Sequence, residues 1–233
     1  MAFNLKTPNR KIHAGVILVK GITEMIDVAP FEFFAWLDKE SLKVFNFPPE
    51  MLDDALDIEL HWVTEDGKPN KLRSGAQLVP TDSFESCPPL DIVLMGAHDA
   101  DYKMTDIDKA FIRKSYESCS AFLTICGGIF ALLESGLLQD KSVSAPRIVV
   151  DSLKKQLPTV HWQDKRWSHD DKIWSASTLL NGPDMMRAFA TETWGGRTGM
   201  IEAALDCGHY PDRDVDFNDF HGHHYPVEFF PLF

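Results

Sequence analysis

The chain has 233 residues, of which 44% are hydrophobic and 25% charged, with a formal net charge of −12. That composition supports a globular core, while the acidic balance excludes nucleic acid and anionic membrane surfaces as partners, since both demand a basic face. The start of the chain has no signal-peptide pattern and no run of about 18 apolar residues occurs, so the expected location is cytoplasmic.

In chain order, "IHAGVILV" (12–19) reads as a first strand buried on both faces, followed by a helical pattern in "VAPFEFFAWLDKE" (28–40). "ELHWVTEDGKPNKL" (59–72) reads as a strand and a turn, "DIVLM" (91–95) as another buried strand, and "TDIDKAFIRKSYESC" (105–119) as a helix. "AFLTI" (121–125) is a further strand and "GIFALLESGLL" (128–138) a further helix. "VHWQDKRWSHDDKIWSAS" (160–177) alternates around a hairpin turn placed at Asp170–Asp171, and its Trp162, Trp167 and Trp174 are expected to pack a sheet face. "DMMRAFATETW" (184–194) closes the series as a helix, with Pro183 in its first turn and Asp184 complementing its dipole. Strands alternating with helices imply β-α-β units and a mostly parallel sheet. The expected organisation is one α/β domain over residues 1–210. The remaining 211–233 form an irregular extension packed on the body or on a second subunit, whose "HGHH" lacks the further ligands that would complete a metal site.

The four cysteines (Cys87, Cys119, Cys126 and Cys207) show no metal-like or CxxC spacing and read as free thiols. Cys126 differs from the others. In "AFLTI-C-GG-IFALLESG" a buried strand runs into a cysteine, two glycines and an apolar helical stripe of Ile129, Leu132, Leu133 and Leu137. Two glycines permit a strained turn and close backbone approach, and unpaired N–H groups at a helix start stabilise a thiolate. The expectation is a reactive thiol with a pKa below the free value of about 8.5. Asp27 follows the first strand at the same sheet edge, where ligands of open α/β sheets bind. It is a candidate acid/base, with helix capping as the alternative; Glu24 is a weaker competitor. His98 follows a neighbouring strand, where it either lines the pocket or is hydrogen-bonded structurally.

"TICGGIFALLESGLLQDKSVS" together with "PLDIVLMGAHD" resembles the ThiJ/PfpI superfamily, the class I glutamine amidotransferase-like group that includes the Parkinsonism-associated proteins and isonitrile hydratases. The likeness extends through "ELHWV", "SGAQLVPTDSFESCPPLDIVLMG", "HWQDKRWSHDDKIWSAS" and "NGPDMMRAF", in an order similar to fungal members. The resemblance implies a flavodoxin-like three-layer sandwich with a mostly parallel central sheet and a nucleophile-elbow cysteine, in a homodimer that acts on a small-molecule substrate without metal or organic cofactor. Cys126 then falls on the nucleophile, and Asp27, in "GITEMIDVAPFEFF", on the family's acid. Gly96, Ala97, His98, Gly127 and Thr178 are the implied substrate-binding positions, with Leu179 also near the pocket.

Three departures from that pattern bear on the reaction. "MGAHD" (95–99) has Ala97 where the family has the second glycine of a turn. Gly127 replaces the threonine that isonitrile hydratases tend to carry after the cysteine. "KSVSAPRIVVD" (141–151) lacks the histidine that amidotransferases and proteases use as base, which argues against both unless His98 substitutes. Isonitrile hydration leads. The alternatives are tailoring of a reactive secondary metabolite by addition, elimination or cyclisation, glyoxalase-like addition, and a non-catalytic redox, stress or binding role.

Overall fold

A computed structural model describes residues 3–99 and 101–222. Its strands are β1 (Ile12–Leu18), β2 (Ile58–Thr64), β3 (Asn70–Lys71), β4 (Gln77–Leu78), β5 (Asp82–Ser83), β6 (Ile92–Met95), β7 (Ala121–Ile125), β8 (Ser142–Ser144), β9 (His161–Gln163), β10 (Trp167–Asp170) and β11 (Ile173–Ala176). Seven of them form one sheet in the order β10-β11-β7-β6-β1-β2-β5. Every neighbouring pair is parallel except β10 with β11. The run β2-β1-β6-β7-β11 is the flavodoxin-like order, and connections leave β1 in opposite directions, which opens a crevice at the carboxyl ends of β1 and β6.

The layers follow from alternation along these strands. Ile12, Ala14, Val16, Leu18, Ile92, Leu94, Leu123 and Ile125 face one apolar cluster with Phe31, Phe34, Met185, Phe189 and Trp194. Ile17, Val93, Met95 and Phe122 face the other, with Ile112, Ile129, Leu132 and Leu153. Because helices cover both faces, the central strands have no polar side to show water. The result is a three-layer α/β sandwich.

Most expected elements are present with shifted bounds. The helix expected over 28–40 is instead a turn of α-helix (Met25–Val28), a 3₁₀ segment (Ala29–Leu37) and a new helix (Lys39–Val44). Asp38 makes the break, since its carboxylate accepts from the Glu40 and Ser41 amides as an N-cap. Helix Asp106–Ser118 matches its pattern and starts on a capping box of Thr105 and Asp108. The hairpin turn lies one residue later than expected, because Asp170 still pairs with Ile173 and Asp171 takes the left-handed conformation at φ 57°. The first part of that segment, β9, pairs instead with β8 in a separate parallel ladder. Trp162 and Trp174 are buried in the two apolar clusters, one on each face.

The extension, as far as residue 222, lies on the body. The buried Arg166 donates through Nε to the Asp214 carbonyl at 2.7 Å and pairs with Asp219. Arg213 donates to Asp184 at 3.1 Å, so the acid at the start of helix Gly182–Trp194 also anchors the extension. His221 and Gly222 are described; the rest of "HGHH" lies outside the described residues. Among the described residues no helix is long and apolar enough to cross a membrane.

One backbone contact sets the height of the turn after β7. A Cβ built on Gly128 would drive into the Met95 carbonyl oxygen at the end of β6. Gly128→Ala is therefore expected to destabilise the fold by about 1–3 kcal/mol or more, as overpacking does when neither backbone can yield. A urea midpoint equal to that of the parent would show that the turn has room the geometry denies it.

Candidate active site

Four adjacent strands deliver the candidate residues to one edge. β11 ends before Thr178 and Leu179, β7 before Cys126, β6 before Gly96, Ala97 and His98, and β1 leads through a short loop to Asp27.

Cys126 opens a 3₁₀ turn, Cys126–Gly128, that passes directly into helix Ile129–Glu134. Its φ is 57°, the left-handed region that a residue bearing a Cβ enters at a cost of about 1–2 kcal/mol. This is the strand-to-helix elbow expected of an exposed nucleophile. The residue is half-buried, whereas Cys119 is buried and Cys207 exposed. The amides of Gly127 and Leu179 both donate toward the sulfur.

The expected low thiol pKa is corrected by the structure. Burial first, and then the negative charge of Asp27, push the Cys126 thiol up to about 12, and the two amide donors only partly offset this. The helix after the elbow is short, so its dipole does not overcome desolvation and a neighbouring acid. Burial likewise pushes the Cys87 and Cys119 thiols up to about 12.

Asp27 is fully buried. It sits within the turn Met25–Val28, whose N-cap position is Glu24, and makes no capping bond there. Its Oδ2 instead accepts the Ala97 amide at 2.8 Å across the loop. Its Oδ1 is buried and has no protein partner. Burial raises its pKa to about 7, against the pull of the Ala97 amide and with a smaller push from Glu24. Glu24 is itself directed outward to Arg73, with 3.3 Å between Oε1 and Nε.

The expected substrate-binding residues divide in two. The Gly127 amide and the Leu179 amide next to Thr178 both act to lower the thiol's pKa, while Thr178 Oγ1 accepts from Asn181 at 2.8 Å and so fixes this loop. The Ala97 amide is taken by Asp27 and is not a free donor. Ala97 is absent from the residues with positive φ, so its methyl imposes no backbone strain. Gly96 is a packing position, where a Cβ would stand 2.7 Å from that of Asp27. His98 turns toward Asp99 and Tyr102, with Nδ1 3.1 Å from the Asp99 carbonyl, and its buried Nε2 has no protein partner. It is not among the groups that shift the Cys126 thiol.

The role of the Leu179 amide was only partly legible. The sequence placed Thr178 and Leu179 near the edge, but not which of them would reach the sulfur. A cavity of about 290 Å³ opens nearby between Ile26, Pro30, Pro183 and Tyr210, but neither Cys126 nor Asp27 lines it.

Asp27→Asn separates these electrostatic effects. The folded carboxyl keeps its proton up to about pH 7, whereas the unfolded chain loses it near 3.8. The contribution of this group to stability is therefore fully present below about 3.8 and lost as pH rises to about 7, a swing on the order of 4 kcal/mol. The variant's stability relative to the parent should accordingly increase between about pH 4 and pH 8 in parallel denaturation series. Its Cys126 should also alkylate with a midpoint at lower pH, because the nearest negative charge is gone. A stability difference independent of pH, or an unmoved alkylation profile, contradicts the coupling.

The sequence comparisons agree with this geometry. The DJ-1/PfpI family profile matches residues 38–192. An isonitrile hydratase of Pseudomonas putida is 28% identical over 170 residues, covering 72% of this chain and 74% of that protein. Two solved structures share the fold. A ThiJ/PfpI family protein from Pseudomonas syringae superimposes with a TM-score of 0.64 at 16% identity, covering 90% of this chain and 78% of the other. Drosophila melanogaster DJ-1beta superimposes at 0.63 and 16% identity, covering 87% of this chain and 100% of the other. With its sheet order, its elbow cysteine and the matched span in agreement, the chain belongs to the DJ-1/PfpI family.

Proposed function

We propose that the protein is a cofactor-free, cysteine-dependent enzyme acting on a small molecule with an electrophilic carbon, and that its reaction is hydration of an isonitrile to an N-substituted formamide. The observation that carries this reading is the buried carboxyl of Asp27, with one oxygen unpartnered, beside a nucleophile that holds its proton. A thiol of this kind needs a base at the moment of attack, and a carboxyl titrating near neutrality serves both as that base and as the following acid. The similarity to the Pseudomonas putida isonitrile hydratase supports the same substrate class.

In the proposed sequence, Asp27 takes the Cys126 proton as sulfur bonds to the terminal carbon of R–N≡C. The proton then passes to that carbon, giving a thioimidate, R–N=CH–S–Cys126. Water adds next: Asp27 accepts one of its protons, hydroxide bonds to the carbon, and the nitrogen receives the proton. The tetrahedral R–NH–CH(OH)–S–Cys126 breaks its C–S bond, the hydroxyl proton returns through Asp27 to sulfur, and R–NH–CHO leaves. One isonitrile and one water are consumed and one formamide is released. The Gly127 and Leu179 amides hold the charge on sulfur as it forms and departs, an arrangement most effective away from bulk water.

A second reading within the same class is addition to, or elimination from, a different electrophile. It is favoured by the exchange of bulk near the elbow, where a Cβ on Gly127 would stand 3.1 Å from the Ala97 methyl. A redox-sensing thiol is disfavoured, because oxidation needs thiolate and this thiol is held up to about 12. The homodimer implied by the family resemblance belongs to this proposal, and sedimentation velocity of the full chain tests it by mass.

The deciding assay incubates the full chain with alkyl and aryl isonitriles and follows formamide by NMR. Turnover should vanish in Cys126→Ser and fall about 10²–10⁴-fold in Asp27→Asn, the usual worth of a positioned acid/base. Intact-mass spectra of the parent protein quenched during turnover should show substrate added to Cys126. Absence of both formamide and adduct across the panel rejects isonitrile hydration. Adducts with 2-oxoaldehydes or other electrophiles in their place would favour the second reading.

A further inference from the structure

Away from the thiol, β1 and β2 carry a second cluster. His13 lies directly opposite Glu59 across the parallel ladder, and His61 is two residues further along β2, so Glu59 and His61 share a face. His13 Nδ1 is 2.9 Å from His61 Nε2. One ligand atom from each of His13, Glu59 and His61 lies within 4.8 Å of the others. On its far side, the His61 ring places Nδ1 2.8 Å from Asp82 Oδ2, and that oxygen also accepts from Thr81 Oγ1 at 2.7 Å. We propose that His13, His61 and Glu59 bind a divalent transition-metal ion of the zinc type, with Asp82 as the orienting partner of His61.

The donor set is the first argument. Two imidazole nitrogens and a carboxylate are ligands that zinc takes readily, with the fourth position left to water. The second is how His61 is held. It is only 4% exposed, and a carboxylate on Nδ1 fixes the N–H there and directs the Nε2 lone pair into the cluster. This is the outer-shell arrangement that orients a metal-binding histidine. The third is access, since His13 is half-buried and Glu59 exposed, so an ion and its water can enter from the His13 side. Glu59 Oε2 is 3.1 Å from Lys11 Nζ, which leaves Oε1 available.

The required movement is small. Two nitrogens each about 2.0–2.1 Å from a tetrahedral ion lie about 3.3 Å apart, against the 2.9 Å of the present pair. Rotation of the His13 ring supplies the difference, and the proton shared between the rings moves to the outward Nε2 of His13. The sequence alone does not show this cluster, because its members come from two strands that only the fold brings together. The "HGHH" of the extension is a different and competing candidate, so the test includes it.

The full-length protein, stripped with chelator, is dialysed against Zn²⁺ or Co²⁺ at controlled free-ion concentration. One equivalent should bind, Tm should rise, and Co²⁺ should give ligand-field bands without sulfur charge transfer. His13→Gln and Glu59→Gln should each weaken binding at least tenfold with unchanged apo melting, and Asp82→Asn about 10–100-fold. Cys126→Ser, and the combined His221→Gln, His223→Gln and His224→Gln, should bind as the parent does. The buried His61 is left intact, since its loss would disturb folding as well as binding. Equal binding by His13→Gln, binding lost only with the extension's histidines, or no binding at micromolar free ion would overturn the site, leaving a hydrogen-bonded His–His–Asp chain.

Discussion

The chemistry at the carboxyl edge depends on how closely two pieces of backbone approach. Gly128 lies against the Met95 carbonyl, and only a residue without a side chain allows β7 to turn into its helix directly above the end of β6. That approach holds Cys126 at φ 57°, half-buried against the apolar cluster of that face. Gly96 repeats the device on the neighbouring strand, where the missing Cβ admits the side chain of Asp27. Two close contacts thus bring an acid and a thiol from distant parts of the chain into one environment.

Within that environment, burial outweighs the local dipoles. An elbow with amides aimed at its sulfur would, in an open site, yield a thiolate. Here the desolvation of the sulfur and the proximity of Asp27 hold the proton in place. The Asp27 carboxylate raises the thiol's demand for a proton: thiol with carboxylate, or thiolate with carboxylic acid, keeps the pair's net charge at −1, whereas full ionisation puts two like charges in a poorly solvated space. In the proposed reaction such a pair suits a substrate that takes up the sulfur and a proton together, as an isonitrile carbon does. It is poorly matched to reactions that need a standing thiolate.

Strands buried on both faces were readable from "IHAGVILV", "DIVLM" and "AFLTI", because unbroken apolar runs of that length have few other uses in an α/β chain. The elbow was readable from Cys126 and the glycines after it. What could not be read was the balance of forces on the thiol, which depends on how deeply neighbouring loops cover it. The capping alternative for Asp27 was equally open until the loop was seen to fold back onto the Ala97 amide. The 3₁₀ course of Ala29–Leu37 was hidden for a related reason: its apolar residues satisfy either helical period, and Asp38 ends the segment by capping the next helix. The exchange between positions 97 and 127 makes sense only in three dimensions. The Ala97 methyl faces the space that a side chain at 127 would enter, so the two departures from the family pattern are one packing change.

The polar cluster on β1 and β2 follows from where the sheet stops being covered. Central strands such as β6 and β7 are buried along their whole length, but β2 alternates and borders β5, an edge strand of only two residues. A histidine at position 61 is therefore nearly covered without lying in a purely apolar layer. Burying it requires partners for both ring nitrogens, and the edge strand supplies one as Asp82 while β1 supplies the other as His13. Had the role been only to fill space, an apolar residue would serve without any of these partners. A carboxylate, two hydrogen-bonded imidazoles and a second carboxylate on adjoining strands form a graded set of donors, open on the His13 side. That set sits apart from Cys126, so a bound ion there would strengthen the junction of β1 and β2 without touching the thiol.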